Sequence, residues 1–336
     1  MTMDRADYWT TVHSQGETLA QTIAAAQAAL AAAKLPRWQA GEPLAVLAMG
    51  ASTMAAEFLV HEARSRGRVV LNWSAADWRD AAGLMSGPAV GISESGRSPE
   101  TIEALEACTG HRIVVTNVAG SPVTAVADTV VPLGEVADAG VYVSGYTSTL
   151  AALALIGERL GLAGIADGLA EAPALVRSWL PVAAAGVDGF LAAHAPSGDV
   201  AMVDCVGAGS SFAAAAETAL LLREAGRTPS ASFASDQYLH GPAESMPGNF
   251  CAVVFGGGRV EELVARMAEV GLPVLHVSTD PVPGAAGLPL PPTTPVVASI
   301  LEAVVGQVLA GRLGDRRGHD IGTFRHEFAM TKLPTA

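Results

Sequence analysis

The sequence predicts an α/β protein built from two three-layer αβα sandwich modules that follow one another along the chain. Short apolar runs alternate with helical segments, this rhythm restarts after residue 195, and Ala55-Ala56-Glu57 recurs as Ala215-Ala216-Glu217. Strands that are apolar throughout are typical of parallel sheets covered by helices on both faces. Two similar halves in one chain indicate a duplicated module.

Residues 1–40 form the N-terminal segment, with a helix expected from about Arg5 to Lys34. Residues 41–165 form the first module, which closes with an Ala/Leu helix from about Thr147 to Leu162. Its five apolar runs are bounded by turn residues, as strands of a parallel, flavodoxin-like sheet should be. These runs are Leu44–Met49, Val69–Trp73, Ala89–Ile92, Arg112–Thr116 and Thr129–Pro132.

The second module, residues 196–314, follows a helical connector over residues 166–195. Its expected strands are Val200–Val206, Cys251–Phe255 and Pro273–Ser278, and its last helix runs from about Val296 to Leu313. The Pro/Gly-rich stretch Pro281–Pro292 reads as a loop. Residues 315–336 form a tail, which we expect to close over the active site.

Composition excludes several classes of function. The chain has 336 residues, of which 50% are hydrophobic, and a formal net charge of −13. Such an acidic chain lacks the positive surface that binds a phosphate backbone, so no nucleic acid partner is expected. The polar N-terminus is unlike a signal peptide, and the apolar stretch Ile23–Ala33 is too short to span a bilayer. We therefore expect a cytoplasmic protein without a membrane partner.

A serine-rich loop follows the third predicted strand. Ser93, Ser95 and Ser98 flank Gly96, and a helix is expected to begin at Pro99. Hydroxyls, free backbone N–H groups and the positive end of a helix together favour an anion such as a phosphate monoester. Ser52, after the first strand, lies at the same edge of the predicted sheet and joins this phosphate site. The alternative is that these serines only cap helices and shape turns.

The sequence Ser93-Glu94-Ser95-Gly96-Arg97-Ser98, hereafter the serine loop, resembles the Ser-Gln-Ser-Gly-x-Ser/Thr phosphate loop of the sugar isomerase (SIS) domain family. The tandem arrangement from about Leu44 onward resembles the isomerase half of the glucosamine-6-phosphate synthases. This resemblance implies a sugar-phosphate substrate and a homodimer with shared active sites. The histidines show no metal-ligand spacing, so no metal is predicted, and no other cofactor is expected. The implied substrate-binding residues are Ser52, Ser93, Glu94, Ser95, Gly96, Ser98 and Ser144.

The resemblance also implies three catalytic residues. Glu224 matches the base that moves a proton between C1 and C2, and His240 matches a histidine that the neighbouring subunit gives to open the sugar ring. Lys332, in the tail, matches a lysine that can form an imine with the open-chain carbonyl. A carboxylate and a histidine suit this proton transfer chemically. Alternatively, Glu224 is a solvated helix-end carboxylate, His240 a turn residue and Lys332 a solvated lysine.

Three positions depart from the family pattern. Glu94 replaces the usual glutamine, Leu221 replaces a lysine one turn before the catalytic glutamate, and Gly140–Ser144 replaces an Ala-Ser-Thr-Lys run that lines the sugar. The sequence therefore predicts a phosphosugar isomerase or deaminase that acts on an amino-sugar phosphate. A deglycase of fructosamine-type phosphates and a non-catalytic sugar-phosphate sensor are the alternatives.

Overall fold

The computed structural model describes residues 6–78, 86–197, 199–246, 249–326 and 331–334. The strands in these ranges are β1 (Leu44–Ala48), β2 (Val70–Ser74), β3 (Ala89–Ile92), β4 (Arg112–Thr116), β5 (Thr129–Pro132), β6 (Met202–Gly207), β7 (Ser230–Ala234), β8 (Phe250–Phe255), β9 (Val274–Ser278) and β10 (Ala286–Pro289). The α-helices are α1 (Tyr8–Ala32), α2 (Ala51–Ser65), α3 (Ala75–Trp78), α4 (Pro99–Glu106), α5 (Ser144–Arg159), α6 (Ala172–His194), α7 (Ser211–Glu224), α8 (Ser235–Tyr238), α9 (Arg259–Glu269) and α10 (Pro295–Arg316).

The strands form two parallel sheets of five strands each. The first has the order β2-β1-β3-β4-β5 and the second β10-β9-β8-β6-β7. Read from its other edge, the second sheet repeats the order of the first. All residues of β1 and β8 are buried, as parallel strands between helical layers should be. The predicted α/β class with αβα layers is confirmed.

One hydrophobic core joins the two sheets. It runs continuously from β1 and β3 through α2, α5, α7 and α10 to β6 and β8. Hydrogen bonds cross the same region: the Tyr146 hydroxyl of α5 donates to the Ala213 carbonyl of α7 at 2.8 Å. On α1, the Gln15 amide donates to Gln307 Oε1 of α10 at 2.6 Å. The two halves of the chain are therefore packed as one body, and the domain boundaries drawn from the sequence stay predictions.

Two helices, α6 and α10, are long and apolar enough to cross a membrane by length and composition alone. The most apolar window of α10 is 89% buried within the protein, and that of α6 is 39% buried. Trp179 of α6 donates its indole N–H to the Leu301 carbonyl of α10 at 3.0 Å. The burial of α10 is that of a core helix, and α6 packs against it.

Two strands differ from the sequence prediction. β10 lies inside the stretch Pro281–Pro292 that was expected to be a loop, and β7 had not been predicted at all. Both are edge strands with half-exposed residues, so neither carries the continuous apolar run that marks a buried strand. Proline at a strand end is tolerated at an edge, where one side of the strand needs no ladder partner.

Candidate functional site

The serine loop lies at a topological switch point. The chain leaves β1 toward β2 on one side and leaves β3 toward β4 on the other, so a crevice opens beyond the carboxyl ends of β1 and β3. The loop follows β3, and Ser52 stands in the first turn of α2, just after β1. Ser52 is buried. The structure therefore brings Ser52 and the serine loop to the same edge of the first sheet, as predicted.

Gly96 sets the shape of the loop. Its φ of +65° is left-handed, a conformation that a residue without a Cβ adopts at little cost. An added Cβ would lie 1.9 Å from Ser121 Oγ, so the loop backbone approaches the turn after β4 too closely for any side chain. The Gly96 carbonyl accepts the Val123 N–H at 3.0 Å, which fixes the loop against that turn.

The hydroxyls of Ser93 and Ser98 meet inside the loop, with Ser93 donating to Ser98 at 3.1 Å. Ser98 occupies the N-cap position of α4, but its side chain makes no capping hydrogen bond there. The Ser95 hydroxyl accepts a long bond of 3.4 Å from the Arg97 N–H. The Ser98 side chain therefore does not cap α4, because its hydroxyl faces Ser93.

Glu94 points away from solvent and contacts an amide. Asn117 Nδ2 donates to Glu94 Oε1 at 3.1 Å and to the Val136 carbonyl at 2.8 Å. Burial raises the pKa of Glu94, while the Asn117 hydrogen bond and the positive charge of Lys332 lower it. The carboxylate is therefore held beside the loop by Asn117.

Asp138 organises the segment that lines the next wall. Its buried carboxylate accepts the N–H groups of Ser144 at 3.2 Å and of Gly145 at 2.7 Å, so it stabilises the first N–H groups of α5, which have no partner within the helix. Burial, opposed by these bonds and assisted by the charge of Glu94, raises the pKa of Asp138 to about 7. The Ser144 hydroxyl donates to the Thr11 carbonyl of α1 at 3.3 Å and is fully buried. Ser144 is thus engaged inside the fold.

The tail is fastened to the serine loop. The N–H of Leu333 donates to the Arg97 carbonyl at 2.9 Å, and the Arg97 guanidinium donates to the Leu333 carbonyl. The neighbouring Lys332 is exposed, yet close enough for its charge to affect Glu94. The hydrogen bonds of Leu333 thus hold Lys332 beside the serine loop.

Two glutamates lie seven residues apart on α7. Glu224 is half-buried at the helix end, and burial raises its pKa to about 7. Glu217 is fully buried, and neither of its carboxylate oxygens has a hydrogen-bond partner among the described residues. Burial, then the negative charges of Glu224 and Asp138, raises the pKa of Glu217 well above its usual range. Leu221, between the two glutamates, is buried and supplies no cation.

Electrostatic interactions link the serine loop to α7. The charge of Glu94 contributes to the raised pKa of Asp138, and the charges of Glu224 and Asp138 contribute to that of Glu217. The Tyr142 hydroxyl contacts Thr149 Oγ1 at 3.2 Å, and burial followed by the Glu94 charge raises its pKa. Carboxyl groups of raised pKa therefore occur in the serine loop, at Asp138 and on α7.

His240 is exposed in the turn after α8. Its backbone N–H donates to the Gln237 carbonyl at 3.1 Å. No contact between His240 and Glu224 occurs among the described residues. Leu239 beside it is 59% exposed. His240 therefore faces outward.

Sequence reasoning missed Asp138 and Glu217. For Asp138 the signal was an acidic residue shortly before a glycine-containing helix start, the pattern of a carboxylate that accepts N-terminal amides. For Glu217 it was a charged residue inside an otherwise apolar Ala/Leu helix. Within the described ranges, no group of three or more His, Cys, Asp or Glu side chains could hold a metal ion.

The sequence matches no protein-family model. It is 28% identical over 255 residues to a glutamine–fructose-6-phosphate aminotransferase (isomerizing) from Zymomonas mobilis. The matched region covers 68% of this chain and 41% of that protein. The chain thus spans less than half the length of this relative.

Solved structures match nearly the whole chain. The C-terminal domain of a glucosamine-fructose-6-phosphate aminotransferase from Francisella tularensis has a TM-score of 0.79 at 18% identity, covering 95% of this chain and 98% of that one. A glucosamine-6-phosphate deaminase from Thermotoga maritima has a TM-score of 0.79 at 14% identity, covering 96% and 98%. A tagatose-6-phosphate ketose/aldose isomerase from Escherichia coli has a TM-score of 0.75 at 18% identity, covering 98% and 100%.

The chain therefore has the α/β fold of these solved structures, among which are a phosphosugar isomerase and a phosphosugar deaminase. At the level of the fold, the resemblance drawn from the sequence is confirmed.

Proposed function

We propose that this protein is an enzyme that isomerises or deaminates an amino-sugar phosphate by moving a proton between C1 and C2. The observation that carries the proposal is the serine loop at the switch point of the first sheet, with Ser52 at the same edge. The phosphate would be held by Ser52, Ser93, Ser95 and Ser98, with the Gly96 backbone in close approach.

Glu224 is the proposed base. A general base works best with a pKa near the working pH, and burial raises the pKa of Glu224 to about 7. His240 would assist ring opening in the neighbouring subunit, because it faces outward in this chain. We therefore propose a homodimer in which each active site takes His240 from the partner subunit. Lys332, held near Glu94 by the tail, is the proposed partner of the open-chain carbonyl.

The experiment is an activity panel. The full chain is incubated with glucosamine, fructosamine and ketose phosphates, and both ammonia release and aldose–ketose interconversion are measured. Glu224→Gln is expected to lose activity at least a hundredfold. Glu262→Gln, an exposed glutamate on α9, is the matched control and should keep it.

The outcomes separate the alternatives. Release of a free amine from a fructosamine-type phosphate without isomerisation would favour a deglycase. Binding of sugar phosphates, seen as a rise in melting temperature, with no turnover in any assay would overturn the enzyme and favour a sensor.

The two sheets share one strand order, and the repeated Ala-Ala-Glu fragments occupy α2 and α7. We therefore propose that the chain arose by duplication of one module.

We also propose that the protein works in the cytoplasm, since three free cysteines suit a reducing compartment.

A further inference from the structure

A cavity of about 470 Å³ lies between α1, α6 and α10, and none of its lining residues belongs to the site described above. The two helices α1 and α6 approach closely at Gly16, where an added Cβ would lie 2.6 Å from Arg177 Cγ. Near this point α6 contains Pro181, which lines the cavity. Proline has no N–H to donate to the carbonyl four residues earlier and bends a helix at that point.

Part of the cavity lining is apolar. Leu180, Ala184 and Val308 contribute aliphatic carbons, and the indole ring of Trp9 forms one wall. Trp9 is fixed in orientation, since its indole N–H donates to Asp315 Oδ2 at 3.0 Å and its ring packs edge-on against Tyr8 at 5.5 Å. A planar or branched apolar group would find contacts on several sides here.

The cavity also presents cationic groups. The Arg312 guanidinium lies over the Trp9 ring, 4.8 Å from its centroid, and donates to Asp188 Oδ2 at 3.2 Å. A guanidinium has five N–H donors, so this pairing leaves donors available. Arg177 is paired only loosely, because its nearest carboxylate, Glu17, is 3.9 Å away and both side chains are about half exposed or more.

His13 also lines the cavity, and its ring can donate or accept a hydrogen bond. One ring nitrogen, Nδ1, contacts the Trp9 carbonyl at 2.5 Å, which leaves Nε2 for another partner. Of the carboxylates nearby, Asp188 pairs with Arg312 and Asp315 accepts from Trp9, whereas Glu17 is held only loosely by Arg177. An incoming anion would therefore meet the unused donors of Arg312 and would replace Glu17 at Arg177.

We propose that this cavity is a second ligand site, which binds a small amphipathic anion with a planar apolar body and a carboxylate or phosphate head. The body would lie against Trp9 and the aliphatic surface, and the head would reach Arg177 and Arg312. The volume falls within the range of about 300–1,000 Å³ typical of small-molecule sites. Neither the proposed enzymatic reaction nor its residues are needed for this binding.

The test uses the full chain and three probes of one shape: phenylacetate, phenyl phosphate and the uncharged phenylacetamide. Binding is measured by saturation-transfer NMR and by titration. We expect saturable binding of one or both anions and at least tenfold weaker binding of the amide. Whether phenylacetate or phenyl phosphate binds more tightly identifies the head group. Ser93→Ala, in the serine loop, must leave the binding of phenylacetate unchanged if the cavity is the site.

Two variants locate the ligand. Arg177→Gln should weaken anion binding about tenfold, as expected for loss of a hydrogen bond to a charged group. Ala184→Phe, which fills the cavity, should abolish it. Arg259→Gln, at a well-exposed arginine on α9, is the matched control and should bind as the parent does. The proposal is overturned if none of the probes binds saturably, if the amide binds as well as the anions, or if Ala184→Phe binds normally.

Discussion

Arg97 and Leu333 lie 236 residues apart in the sequence and hold each other by two hydrogen bonds, one in each direction. The Arg97 carbonyl accepts from the Leu333 N–H, and the Arg97 guanidinium donates to the Leu333 carbonyl. Because Arg97 belongs to the serine loop, this contact fixes the tail against the proposed phosphate site. It also places Lys332 within electrostatic reach of Glu94.

Arg97→Ala should loosen the tail. The variant removes the side-chain hydrogen bond and keeps the backbone one, so amide hydrogen exchange at Leu333 should become about tenfold faster, as for loss of one charge-assisted bond. Arg112→Ala is the control, since that guanidinium pairs with Asp128 at the opposite edge of the same sheet. An exchange rate at Leu333 that is the same in both variants would contradict the contact.

Gly96→Ala should be far more costly than Gly120→Ala. Both glycines have nearly the same φ, +65° and +64°, so each alanine meets the same backbone strain, about 1 kcal/mol. Only at Gly96 does a Cβ collide with Ser121, whereas nothing lies within 4 Å at Gly120. In urea unfolding we expect a loss of about 1 kcal/mol for Gly120→Ala and about 3 kcal/mol or more for Gly96→Ala. Equal losses would show that the close approach is absent.

Stability should fall as the pH rises from 6 to 8. Burial raises the pKa of Glu302 to about 8, opposed only by a hydrogen bond from Ser211. A raised pKa in the folded state means that protonation favours folding, so this contribution is complete below the unfolded pKa, roughly 4.3. It is lost as the pH rises toward 8. The unpartnered carboxyl of Glu217 acts in the same direction.

Glu302→Gln tests this pH dependence, because the amide keeps an acceptor for Ser211 and has no charge to bury. Between pH 6 and pH 8 we expect the variant to lose about 2 kcal/mol less unfolding free energy than the parent. Unfolding in urea at a series of pH values measures the difference. Parallel curves for the parent and the variant would refute it, and Glu262→Gln, an exposed substitution, should follow the parent.

The proposed enzyme should gain activity as the pH rises through about 7. A base must be deprotonated to accept the proton from C2, and Glu224 has its pKa near 7 because of burial. The profile of kcat/KM against pH should therefore rise with a midpoint near 7 and then level off. Glu224→Asp, if active, should show a shifted midpoint. An activity that falls through this range would exclude Glu224 as the base.

Much of the fold could be predicted because its signals are local. β3 was predicted at its observed bounds, since four apolar residues stand between a proline and a serine loop. α5 began three residues earlier than expected, at Ser144, because Asp138 stabilises its first amides across a gap in sequence. β7 could not be found by the same reasoning: its half-exposed Ser/Ala sequence pairs only with β6, and this pairing is decided by tertiary structure.

The candidate site, like the fold, could be predicted only where its residues are close together in the sequence. The serine loop was predictable because its hydroxyls, its glycine and the helix start are consecutive in the sequence. Glu217 was not, since its lack of a partner is a property of the packed interior rather than of the α7 sequence. The contact between Arg97 and Leu333 was also out of reach, because nothing local to either residue indicates the other.

The shared core bears on how the protein unfolds. Apolar residues of both sheets pack against α5, α7 and α10, and the most apolar window of α10 is 89% buried. Separating the halves would expose that helix to water, so neither sheet has a complete interior of its own. Heating should therefore melt the whole molecule cooperatively, in a single calorimetric transition. Either half expressed alone should be insoluble or only partly ordered.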